Sequence, residues 1–320
     1  MVFTKETIYA LLDAAKPQLK QSTKKTYASN IVNLHDKIYP DADFTNSVFL
    51  RNPKVIAKAL KYKPMTKGSI EPQEYSYLSR RNFYVAIIEF LRALDPEGSK
   101  AITNYYTVTF IDSASEQYMK ENESGKISQK QEPNFVKPEV IQEFIAKAKE
   151  SDPQLYILLR LITIYHCRNE IVTLKIIGYD KYKEGFTEDE KKHNYLVWGK
   201  NKNFRLVRFN FKTATSYKKL DNYIDDKELK SELLSYLMEN NKKDGDFVFV
   251  RNGKPMTTNA LSSLLIYESK KLVGHSLSTT MIAKSLLSAK YSDKNEDQKA
   301  DAKNRGHSVN IQNNVYVKQS

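Results

Sequence analysis

Apolar residues recur at helical spacing along most of this 320-residue chain and switch to a strand period only in short stretches. That restricts the fold to a mainly α one with a small antiparallel β-sheet. In residues 23–39, Tyr27, Ile31, Leu34 and Ile38 fall at i, i+4, i+7 and i+11, one stripe of a helix. Residues 78–94 repeat the pattern with Phe83, Ile87, Phe90 and Leu94, leaving Arg80, Arg81 and Arg92 off the stripe. Asn52 followed by Pro53 reads as an N-cap and first helical position. These stripes are core seams, and nothing in them carries chemistry.

The character changes at residues 121–137, ENESGKISQKQEPNFVK, which are polar and without apolar period. They read as a linker between a helical domain at 1–120 and a second domain at 138–320. Pro138 opens an amphipathic helix, and a more apolar one follows at about 154–166. The period then shortens: 195–199 and 204–209 are β-rich around a KNKN turn. Helical patterns return at about 226–240, 258–271 and 278–290, broken by FVFV at 247–250 and an Arg251-Asn252-Gly253 turn.

Charge narrows the partner. The formal net charge is +13, with 51 basic against 38 acidic side chains and a pI near 9.3. The excess is spread over both domains, which favours a polyanion, because neutralising phosphates releases counterions. A lone cysteine, Cys167, excludes a disulfide framework or a thiolate zinc site, and it reads as a small buried residue. Trp198 reads as sheet packing. The five histidines show no metal-ligand spacing, and no run reaches the ~20 apolar residues of a membrane span or the form of a signal peptide. An intracellular soluble protein without membrane attachment is expected.

Four features of the second domain stand in order. An arginine, Arg168, follows the apolar helix in 166-HCRNEIVTLKI-176. Lys200 sits at the hairpin turn in 197-VWGKNKNFRLV-207. A helix starts near Ser278 in 277-LSTTMIAKSLLS-288. Finally, Gly306-His307 lies nine residues before Tyr316 in 305-RGHSVNIQNNVYVK-318. This series resembles the tyrosine recombinases, the phage integrase family, over about residues 140–320. The helical first part fits that family's DNA-clamping domain by size and helix content alone.

The resemblance implies a DNA-cutting and DNA-rejoining enzyme that works through a 3′-phosphotyrosine. Negative charge developing on the phosphate calls for fixed guanidinium and imidazole donors, and the departing 5′-oxygen calls for an acid. By resemblance, Arg168 clamps the scissile phosphate, Lys200 (or its neighbour Lys202) is the general acid, His307 holds the phosphate, and Tyr316 attacks. A covalent intermediate conserves the bond energy, so neither metal nor cofactor is expected. The resemblance further implies double-stranded DNA as partner, a homotetramer exchanging strands through a Holliday junction, and kinship with integrases of viral or mobile elements. The Lys/Asn/Tyr/Ile-rich usage points the same way.

Two positions depart from the family pattern. Glu170 stands two residues after Arg168 instead of three. The H-x-x-R helix holds Thr280 and Ala283 where a histidine and a second arginine are expected, with Lys284 about 100° further round. An engineered change, a natural loss in a protein kept for DNA binding, or a register shifted by one would each account for Ala283. Three rival readings follow: a catalytically inactive DNA-binding protein on a recombinase scaffold, a type IB topoisomerase-like nicking-closing enzyme, and an RNA-binding helical protein.

Overall fold

In a computed structural model of the chain, the described residues are 2–64, 71–123, 127–128, 131–200, 203–291, 298–306 and 311–317. They form two compact units, residues 1–121 and 122–320.

The first unit is helical: α1 (Lys5–Ala15), α2 (Gln21–Ile38), α3 (Pro53–Ala59), α4 (Tyr77–Leu94), and α5 (Lys100–Tyr106), which runs through a π-helical turn (Thr107–Asp112) into α6 (Ser113–Glu123). α1 opens on a reciprocal cap, in which the Thr7 amide donates to the Thr4 hydroxyl and the Thr4 amide to the Thr7 hydroxyl. α3 starts at the expected point, where Asn52 Oδ1 accepts from the Val55 amide and Pro53 takes the first turn. The two stripes behave as seams: Ile31, Leu34, Ile87 and Phe90 are fully buried with Ile8, Leu12 and Leu50, while Tyr27, Ile38 and Phe83 pack at the rim. Leu94, the last residue of α4, is exposed because its helix ends there.

In the second unit a short 3-10 turn (Glu132–Asn134) precedes α7 (Pro138–Ser151). Part of the polar stretch that reads as a linker is docked onto this unit. The Val136 amide donates to Ser285 Oγ at 3.2 Å, the Ser276 amide to Asn134 Oδ1 at 2.7 Å, and Lys284 Nζ to Gln131 Oε1 at 2.7 Å. Polar side chains acting as backbone caps look like linker composition until their partners are known.

α8 (Pro153–Tyr165) is the central apolar helix, capped by Asp152 and buried on nearly every side. A 3-10 turn (Asn169–Thr173) leads to β1 (Leu174–Gly178), then α9 (Tyr179–Glu184), β2 (Asn194–Trp198), β3 (Phe204–Arg208), α10 (Ala214–Tyr217) and β4 (Leu220–Tyr223). The four strands lie in the order β1-β2-β3-β4. The β2–β3 hairpin forms as its period predicts, with Trp198 opposite Phe204. The sheet is mixed instead of wholly antiparallel, because β1 runs parallel to β2 with Leu174 opposite Asn194. β1 and β2 are joined through α9, the longer connection that a parallel pair requires.

α11 (Lys227–Glu239) is followed by the hairpin β5 (Val250–Arg251) and β6 (Lys254–Pro255), which is antiparallel. Asn252 and Gly253 turn it with φ of 51° and 71°, the paired positive φ of a type I′ hairpin. α12 (Thr258–Val273), α13 (Thr279–Lys290) and α14 (Gln298–Arg305) follow, and a π-helical turn (Gln312–Tyr316) lies against α13. The core gathers Phe144, Leu158, Leu159 and Ile162 with Leu196 and Leu206 of the sheet, and with Leu265 and Ile282. No helix among the described residues is long and apolar enough to cross a membrane.

Candidate functional site

α8 ends at His166, whose backbone turns left-handed at φ 47°. That conformation is costly for a residue with a side chain. Here it is held from both ends: His166 Nε2 lies 3.4 Å from Asp301 Oδ2, and its carbonyl accepts from Arg305 Nη1 at 3.3 Å. The reversal buries Cys167 completely and brings Arg168 out of the core at the start of the next turn. Burial pushes the Cys167 thiol up to about 11, which suits packing and not nucleophilic chemistry.

Arg168 points at the last described turn of the chain. Its Nη2 donates to the Tyr316 hydroxyl at 3.4 Å, across 148 residues of sequence. Tyr316 is buried, and its ring packs with Ala283 and Leu287 of α13 and with Tyr291 just after it, while its carbonyl accepts from Ser288 Oγ at 3.0 Å.

A second guanidinium faces the same phenol. Arg305, the last residue of α14, is 3 % exposed, and its guanidinium carbon lies 4.5 Å from the centre of the Tyr316 ring. Besides the bond to His166, its Nη2 donates to the Thr279 carbonyl at 3.5 Å. Burial alone would raise the Tyr316 pKa, but the charges and hydrogen bonds of Arg305 and Arg168 override it, and the phenol is more acidic than the ordinary 10.0.

The polar helix α14 is fixed at several points. Asp301 faces His166, Lys290 Nζ at 2.8 Å and the Tyr291 hydroxyl. Arg208 Nη2 of β3 donates to the Asn304 carbonyl at 3.0 Å, and Asn222 Nδ2 of β4 to Asn304 Oδ1 at 3.0 Å. Gly306 then turns at φ 75°, where a Cβ would come within 2.5 Å of Thr213 Oγ1 and 3.3 Å of the Phe211 ring, so the position requires glycine.

Although burial opposes ionisation of Asp301, hydrogen bonds from His166, Lys290 and Tyr291 hold its carboxyl well below the usual range. A depressed carboxyl stabilises the fold above its unfolded pKa of ~3.9, and the gain is lost as pH falls toward the folded value. Asp301→Asn is therefore expected to lower the melting temperature at neutral pH and to flatten its decline below about pH 4. Melting curves across that range check it, and an unchanged acid limb would refute the assignment.

The structure places the other expected site residues as follows. Lys200 lies exposed at the β2–β3 turn, where its carbonyl accepts from the Asn203 amide at 3.2 Å. No hydrogen bond or ion pair joins it to Arg168 or Tyr316 among the described residues. Lys202 and His307 lie outside the described residues. α13 turns Thr280 outward and Ala283 inward, the latter 1 % exposed beneath Tyr316. Lys284 is buried and bonded to Gln131. Glu170 acts electrostatically on both Arg305 and Cys167. Trp198 stacks on Phe204, with ring centres 6.3 Å apart.

Arg305 escaped the sequence reading. It sits at the end of a run of charged and amide side chains that looks solvated, and no motif template assigns a role to the residue before Gly306-His307. Only the contacts of α14 reveal it.

No protein-family model matches the chain, and no curated protein is similar to it in sequence. A solved structure described as "Crystal structure of XerA recombinase" superposes with a TM-score of 0.41 at 15% identity, covering 99% of this chain and 94% of that one. A likeness at that level says nothing about chemistry.

Proposed function

We propose that the chain is a tyrosine-type, site-specific DNA recombinase that cuts and rejoins duplex DNA through a phosphotyrosine at Tyr316. The observation that carries this reading is the meeting of Arg168 with the Tyr316 hydroxyl at 3.4 Å. A phenol buried beside guanidinium groups is primed to lose its proton, and the same groups suit a phosphate about to gain negative charge. The +13 net charge favours DNA as the phosphate donor.

In the reaction, the Tyr316 oxygen attacks the phosphorus and gives up its proton to solvent or to His307. The bond from phosphorus to the 5′-oxygen breaks, and Lys200, or Lys202 from the same turn, protonates that oxygen. The 3′-phosphotyrosine keeps the bond energy, and attack by a 5′-hydroxyl from another strand reverses the step and reseals the DNA. The first unit serves as the DNA clamp, four protomers act on two duplexes, and the chain is akin to integrases of viral or mobile elements.

The test is covalent capture. The full chain is incubated with a pool of nicked duplexes carrying a randomised stretch, and detergent-resistant protein–DNA adducts are recovered and sequenced. The expected result is an adduct on the peptide containing Tyr316 and a recurrent sequence in the trapped DNA. Tight duplex binding without any adduct would replace this reading with that of a DNA-binding protein on a recombinase scaffold. Relaxation of plasmids by monomers without sequence choice would favour a nicking-closing enzyme.

A further inference from the structure

We infer that Arg305 is the second guanidinium of the cleavage site, doing from the end of α14 what the family pattern places on the helix that here carries Ala283. The inference rests on the proposed DNA-cleaving function.

The geometry leaves little room for the alternative position. Ala283 is buried beneath Tyr316 and packed with Leu287 and Tyr291. A guanidinium at this position would have to displace part of that buried cluster. Arg305 reaches the same ring from another side, 4.5 Å from its centre, and Arg168 reaches the hydroxyl. The two arginines thus meet one phenol, Arg168 at its oxygen and Arg305 against its ring, from positions 137 apart in sequence.

Arg305 is also fixed as a clamp must be. The carbonyls of His166 and Thr279 hold its two terminal nitrogens, and Asn304 beside it is tied to β3 and β4. Its Nε and the Arg168 Nη1 are buried without a hydrogen-bond partner among the described residues. Two guanidinium groups with spare donors beside one reactive phenol form a cradle for a single phosphoryl group. Among the described residues, the charged and titratable groups facing the phenol include Arg168 beyond α8, Arg305 on α14, and Tyr291 at the end of α13 with its partner Asp301. Glu170 acts on Arg305.

The experiment compares Arg305→Gln, Arg305→Lys and Ala283→Arg with the parent chain, using the duplex recovered by covalent capture. Arg305→Gln is expected to slow adduct formation roughly a hundredfold at neutral pH. It should also move the pH profile of the remaining activity upward, with Arg305→Lys recovering part of both effects. Ala283→Arg is expected to lower adduct formation, not to raise it. In parallel, the Tyr316 phenol is titrated by NMR on ζ-carbon-labelled tyrosine without DNA, its signal assigned by loss in Tyr316→Phe. The signal should titrate below the ordinary tyrosine range in the parent and move upward in the Arg305 variants.

A folded Arg305→Gln with parental rate and pH profile would overturn the inference, as would a gain of activity in Ala283→Arg. Should Arg305→Gln fail to fold, the titration in the parent and in Arg305→Lys decides. An ordinary phenol in the parent, or one unmoved by lysine, overturns the role. If the parent forms no adduct at all, the cleavage reading fails, while the titration still judges whether Arg305 activates Tyr316.

Discussion

Replacing Tyr316 by phenylalanine is expected to abolish covalent attachment to DNA while leaving duplex affinity within about twofold. The two consequences come from different atoms. Attachment needs the phenolic oxygen, which Arg168 meets at 3.4 Å while Arg305 packs against the ring that carries it. Affinity comes from phosphate contacts spread over a chain of net charge +13, and one neutral oxygen adds little to that. The ring itself is kept, so the packing against Ala283, Leu287 and Tyr291 and the bond from Ser288 to the Tyr316 carbonyl persist. Single-turnover capture and a fluorescence binding curve on the same duplex measure both quantities. Residual attachment in the phenylalanine variant would move the nucleophile to another of the 21 tyrosines.

Arg168→Ala is expected to cut the rate of attachment by 10²–10³, roughly the loss seen when one preorganised donor to a developing charge is removed. The chain's stability without DNA is expected to rise slightly. Arg168 Nη1 is buried with no partner among the described residues, and leaving such a donor unsatisfied costs about 1–3 kcal/mol. A site that keeps an unpaired donor for its ligand trades stability for function. Arg168→Lys should restore little of the rate, because an ammonium lacks the planar fork that meets two oxygens at once. Quench-flow rates and melting temperatures of the three proteins provide the check. A large fall in melting temperature with an unchanged rate would make Arg168 a structural residue.

Much of the helical framework was legible because it obeys local rules. The seams through Ile31, Leu34, Ile87 and Phe90, the Asn52–Pro53 helix start and the hairpin around Lys200 all follow from period or capping. β1 was not legible as a strand, since LKIIG is a short apolar run that continues the pattern of the preceding turn, and only its parallel pairing with β2 distinguishes it. α14 was hidden for the opposite reason. Its sequence has almost no apolar residue, and its order comes from Asp301, Asn304 and Arg305, whose partners lie on α8, α13 and the sheet. Within the site, motif order singled out Arg168 and Tyr316. It could not find Arg305, because which charges share a space depends on tertiary placement and not on spacing along the chain.

The double tie between Asn304 and the sheet has a mechanical corollary. Arg208 closes the strand that leaves the Lys200 turn, and Asn222 sits on the next strand, so the hairpin and the end of α14 belong to one lever. A displacement of Arg208 or Asn222 would pass through these bonds to Asn304, and from there to the neighbouring Arg305. Strands and arginine thus share one coupling through Asn304, and Asn222→Ala would leave Arg208 alone to carry it.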